Sequence, residues 1–85
     1  METRIALIGI IVESSESVGE INALLHDYAP YIFGRMGIPY RERQVNIISV
    51  AIDAPQDIIS SLSGKIGNLS GVSAKTVYSN VISKD

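Results

Sequence analysis

Apolar residues are distributed along this chain in two distinct patterns. Residues 4 to 12 and 45 to 52 are runs in which nearly every position is apolar, the first bounded by Arg4 and Glu13. Runs of this length suit strands buried on both faces. Elsewhere the apolar positions recur at helical spacing: Val18, Ile21, Leu24, Leu25 and Tyr28, then Ile58, Ile59, Leu62, Ile66 and Leu69. Ser17 and Glu20 have the spacing of a capping box at the start of the first helix, and Pro30 stops it. Pro55 suits the first position of the second helix, where no N–H is needed, and Asp57 suits its positive end.

Two further strands complete the pattern. "YIFGRMGI" (31–38) is more polar, and Gly34 and Gly37 predict a bulge or a close backbone approach there. "PYRERQ" follows as a charged connection. "GVSAKTVYSNVI" (71–82) reads as the last strand, with Lys75 as an edge marker. The order is β-α-β-β-α-β. It predicts an α+β, ferredoxin-like fold: a four-stranded antiparallel sheet with two helices on one face, in a single domain over 1–85. Each half starts with an apolar strand ending in an acid, Glu13 or Asp53.

That layout leaves one sheet face without a helix. Yet the first strand offers Ile5, Leu7 and Ile11 on one side and Ile8, Ile10 and Val12 on the other. The third strand offers Ile48, Val50 and Ile52 opposite Ile47 and Ala51. An apolar face of this size is expected to be covered, and a symmetric homo-oligomer, dimer or tetramer, is the expected cover.

"LSGKIGNLSGVSAKT" (62–76) has the glycines, the Gly-Lys pair and the hydroxyls of a phosphate loop. The Walker positions that require glycine and a hydroxyl hold Ile59 and Ile66 instead. The order is also reversed, because this stretch leaves a helix and enters a strand. It reads as a helix end, with Gly67 as the left-handed terminator, Lys65 favouring the helix C-terminus, and Ser70-Gly71 as a turn.

Composition narrows the function. The 85 residues are 46% hydrophobic and 19% charged, as in a globular domain. A net charge of −2 and a pI near 5.2 give no basic excess to neutralise nucleic-acid phosphates. The absence of cysteine removes disulfides, thiolate metal sites and thiol nucleophiles together. "IALIGIIV" is too short to span a bilayer, so a soluble, cytoplasmic protein is expected, without membrane contact.

The remaining candidates have ordinary readings beside functional ones. His26, the single histidine, falls off the apolar stripe and is expected at the surface or at a contact. Arg35, Arg41 and Arg43 could grip a carboxylate or phosphate, or form a solvated charge cluster. Gly19, Asn22, Ala23 and His26 share the outer face of the first helix, while Ser60, Ser63 and Gly67 do so on the second. Tyr28, Tyr31, Tyr40 and Tyr78 suit core edges or interface anchors. No acid–base pair or activated nucleophile stands out, so an enzyme is not expected.

The stretches "LLHDYAPYIFGRMGIPYRE", "NIISVAIDAPQDIISSLSGKIGNLSGV" and "AKTV" resemble the iron-only hydrogenase system regulator family of small ACT-like proteins. "LSGKIG-LSGV-AKTV" is the most specific part, and the likeness covers nearly the whole chain. It implies a stand-alone regulatory domain, similar in fold to amino-acid-binding ACT domains and to the C-terminal domain of nickel-responsive repressors. Those repressors hold metal through histidines and a cysteine and bind DNA through an added arm. This chain lacks that ligand set and that arm, so no metal or cofactor and no direct nucleic-acid partner is expected. ACT-type sites lie at subunit interfaces near the loop after the first strand. The resemblance therefore implies an effector site at Glu13, Ser14 and Ser15, facing Arg35 or Gly37 of a neighbouring chain. A protein-interaction subunit without a ligand, docked on a larger partner, is the alternative.

Overall fold

The computed structural model describes residues 2–84. Six principal elements follow in the expected order: β1 (Glu2–Val12), α1 (Val18–Asp27), β2 (Ile32–Tyr40), β3 (Val45–Ala54), α2 (Gln56–Gly67) and β4 (Val72–Lys84). The strands form one antiparallel sheet in the order β2-β3-β1-β4. This is the ferredoxin-like arrangement. The two apolar runs occupy the centre, where both neighbours hydrogen-bond to them, and the more polar β2 and β4 take the edges.

The alternation of each strand decides which residues enter the core. Ala6, Ile8, Ile10 and Val12 of β1 are buried, as are Ile48, Val50, Ile52 and Ala54 of β3. They meet Ile21 and Leu25 of α1 and Ile59, Leu62 and Ile66 of α2. Val18, Leu24, Tyr28, Ile58 and Leu69 border that cluster, so both helical stripes face the sheet as their spacing predicts. No helix among the described residues is long and apolar enough to cross a membrane.

Several local expectations are corrected. Ser17 does not cap α1; its backbone is helical, and its buried hydroxyl donates to the Ser70 carbonyl at 2.6 Å. Pro55 stands before the helix with extended backbone rather than as its first residue. Pro30 lies in a short 3₁₀ turn after α1 has ended. The charged connection is shorter than expected, because Pro39 and Tyr40 continue β2 and only Arg41–Arg43 form a 3₁₀ turn. Gly34 does border an irregularity, where the β2–β3 register shifts between Ile32 and Gly34. Gly37 pairs regularly with Ile48 and has open space around it.

The glycines of 62–76 also exchange roles. Gly67 is the last residue of α2 and makes no close contact. Gly71 is the glycine with positive φ, at +70°. It sits directly against the loop after β1: its carbonyl accepts from the Glu13 N–H at 2.7 Å, and a Cβ placed on it would stand 2.8 Å from Ser14 Cβ. With the Ser17–Ser70 bond, this contact clamps the β1–α1 loop onto the entry to β4.

These two positions respond oppositely to alanine. Gly71→Ala is expected to cost about 1–3 kcal/mol, through left-handed strain and the contact with Ser14. Gly67→Ala is expected to be neutral or to stabilise by up to about 1 kcal/mol, since it ends a helix in open space. Urea unfolding of both variants measures the difference; equal effects would contradict the clamp.

Candidate functional site

The helices cover the centre of the sheet and stop short of one edge. In β2 every residue except Ile32 is exposed. Arg35, Gly37 and Pro39 pair with Val50, Ile48 and Asn46, which places them on the helix side of the sheet. A groove therefore runs between α1 and the edge strand, floored by β2 and β3.

Three adjoining cavities make up this groove. One of about 320 Å³ is lined by Asn22, Leu25, His26, Ala29, Ile32 and Arg35. The next, about 250 Å³, shares Asn22 and Arg35 and adds Val18, Gly37 and Ile48. The third, about 460 Å³, lies at the mouth of the β1–α1 loop and is lined by Glu13, Ser15, Tyr40, Arg41, Gln44 and Asn46. Pro39 and Asn46 border both of the last two. Arg35 lies where the first two cavities meet, and its Nη2 donates to Asn22 Oδ1 at 3.0 Å. That bond holds the guanidinium toward α1 while leaving its other donors free to meet a ligand.

The residues singled out from the sequence fall along this groove unevenly. Glu13 and Ser15 line its wide mouth, and Arg35 and Gly37 its middle, all within one chain. Ser14 lines neither cavity; it packs against Gly71. Asn22, His26 and Arg41 belong to the groove, whereas Ala23 lies on the opposite side of α1, in a cleft toward α2. Gln44, in left-handed conformation after the 3₁₀ turn, had no signal in the sequence. Its place at the groove mouth follows from how the β2–β3 connection closes. Among the described residues no group of three or more potential metal ligands is gathered.

A second polar cluster links the two helices outside the groove. Tyr28 OH lies 3.0 Å from Ser61 Oγ and accepts from Lys65 Nζ at 3.0 Å. Lys65 Nζ also stands 5.3 Å from the Tyr28 ring centre. Hydrogen bonding from Ser61 and then from Lys65, with the lysine charge close by, holds the phenol below the ordinary tyrosine range.

Comparison with known proteins places this geometry. A family model described as "TM1266-like: Iron-only hydrogenase system regulator, putative" matches residues 4–76. The solved structure of uncharacterized protein TM1266 from Thermotoga maritima is similar over 89% of this chain and 96% of that one, at 36% identity and a TM-score of 0.86. A formyltetrahydrofolate deformylase from Pseudomonas putida KT2440 shares the fold over 91% of this chain but only 29% of its own, at 13% identity and a TM-score of 0.67. Nothing among the curated proteins matches the chain.

The helix-bridging cluster yields a direct test. In an alkaline titration followed by tyrosinate absorbance, Tyr28 is expected to ionise below the ordinary tyrosine range. Ser61→Ala should move it furthest back toward that range, and Lys65→Met part of the way, since each removes one of the two hydrogen bonds. A Tyr28 transition that neither variant moves would contradict the arrangement.

Proposed function

The chain belongs to the TM1266-like family of iron-only hydrogenase system regulators, and from that membership we propose that it is a non-catalytic, ACT-like regulatory domain of the cytoplasm that senses a small anionic effector. The observation that carries this reading is the groove between α1 and β2, with Arg35 held by Asn22 where two of its cavities meet. A guanidinium positioned by one partner and open on its other edge suits a carboxylate of amino-acid size, gripped through two parallel N–H bonds. The apolar walls from Val18, Leu25 and Ile32 suit a short aliphatic body. The volumes lie at the small end of ligand sites. Glu13 and Ser15, at the groove mouth, are placed to receive the ammonium or hydroxyl end of such a molecule.

This reading differs in one respect from the site that the family resemblance implies. The loop after β1 and the Arg35 region adjoin within one chain, so the effector does not need a neighbour to bring them together. Regulation then follows from closing the groove. A ligand that bridges Arg35 on β2 to the β1–α1 loop stiffens the edge strand against α1, and that edge is what a partner of the hydrogenase system would read.

A ligand-free interaction subunit is the second reading. Phe33 supports it: this ring stands at the irregularity of β2 with 64% of its surface exposed, where a partner protein would find an aromatic anchor.

Calorimetric titration with free amino acids, small dicarboxylates and inorganic phosphate separates the two. At least one carboxylate is expected to bind the wild type, and Arg35→Met to weaken it by about 10-fold or more, the cost of a lost charge-assisted pair. Absence of heat with every carboxylate, or equal binding by Arg35→Met, would sink the effector reading. In that case a partner lost on Phe33→Ser would favour the interaction subunit.

A further inference from the structure

Among the described residues, no element lies on the sheet face opposite the helices. Its side chains are read from the strand register in three successive rows. One row holds Ile38, Ile47 and Ile11, with Ser73 at the β4 edge. The next holds Met36, Ser49, Gly9 and Lys75. The third holds Gly34, Ala51, Leu7 and Val77. Ile5 and Tyr40 extend the apolar area at the two ends. Leu7, Ile11 and Ile38 are each 46% exposed, and Val77 is 67% exposed.

Three properties of this face bear on its occupant. The first is area. The exposed portions of Ile5, Leu7, Ile11, Met36, Ile38, Tyr40, Ile47 and Val77 come to roughly 700 Å², above the few hundred that a monomer usually leaves in water and near the ~800 Å² that each partner gives a standard interface. The second is relief. Gly34, Ser49 and Ala51 floor a shallow depression of about 220 Å³, bordered by Leu7, Arg35 and Met36. A face that has both protruding side chains and a hollow can interlock with a copy of itself. The third is charge. Within the paired rows the face carries Lys75 on β4 and Asp53, opposite Ile5, on β3. One charge of each sign leaves the face neutral, so two copies do not repel, and a strongly acidic or basic partner finds nothing to match.

We infer that a second copy of this chain covers the open sheet face, the two sheets packing face to face about a two-fold axis. A two-fold contact uses the same patch twice, so the hollow over Gly34, Ser49 and Ala51 receives a protruding side chain in both directions. The interface lies on the opposite side of the sheet from the groove between α1 and β2. It leaves the groove mouth at Glu13 and Ser15 open in each subunit, so this inference stands whether or not an effector binds there.

Light scattering and sedimentation equilibrium test it. At micromolar concentration the wild type is expected at an even multiple of the 9.2 kDa chain mass. Leu7→Glu puts a carboxylate at the centre of the face. Because Leu7 is already half exposed in the single chain, the fold tolerates the change, but association is expected to weaken by about 100-fold or more, since the charge would be buried unpaired. Met36→Glu, farther out on the edge strand, is expected to act in the same direction and serves if Leu7→Glu is poorly folded. Ala23→Glu, at an exposed position in the cleft between α1 and α2 and away from the open face, is expected to leave the mass unchanged. A wild type that stays a monomer overturns the inference, as does an oligomer whose mass neither face variant lowers. A monomer that associates only with a different protein also overturns it.

Discussion

Everything in this fold follows from one imbalance: a sheet that is apolar on both faces and a chain with two helices to cover it. β1 and β3 supply isoleucine, leucine and valine to either side. The side beneath α1 and α2 is sealed, with Ile8, Val50, Ile52, Ile59, Leu62 and Ile66 fully removed from water. The other side keeps its side chains near half exposure. Hydrophobic burial is the main driving term for a domain this small, and half of the material for it lies on a face the chain cannot close alone. The account of assembly rests on that fact. The account of the effector groove rests on its corollary, since two helices centred over β1 and β3 also leave the edge strand β2 uncovered.

The two surfaces of the sheet differ in character. The helix side, at the β2 edge, is polar and concave, with Arg35, Asn22 and His26 around one cleft. The open side is apolar, with a shallow hollow over Gly34, Ser49 and Ala51. β2 contributes to both, because alternate residues of one strand point to opposite sides: Arg35 and Gly37 to the groove, Met36 and Ile38 to the open face. A ligand that tightens β2 against α1 therefore acts on a strand that also forms part of the apolar face. On the proposed reading, this is a short physical route from effector to assembly.

The sequence made the sheet legible because strand and helix periodicities are local and strongly marked. The both-sided runs at 4–12 and 45–52 appear as central strands, and the 3.6-residue stripes appear as the buried sides of both helices. The misreadings arose where distant contacts decide. Ser17 and Glu20 have capping-box spacing, yet the Ser17 hydroxyl is taken by the carbonyl of Ser70, 53 residues away. The sequence favours Gly67 as the left-handed residue, whereas the positive φ falls at Gly71, which packs against Ser14 across the fold. The groove was partly legible for the same reason. Glu13, Ser15, Arg35 and Gly37 were visible as separate residues, but their alignment along one groove depends on the pairing of Pro39 with Asn46. Nothing near those residues in the chain encodes that pairing.

The most direct measurement is an isotope-filtered NOE experiment on an equal mixture of labelled and unlabelled chains. It reports only contacts between different copies. Cross-peaks from the methyl groups of Leu7, Ile11, Met36 and Ile38 to the unlabelled chain are the predicted result. Intermolecular cross-peaks confined to α1, α2 or the strand edges, or none at all, would contradict the claim that a second copy completes this sheet.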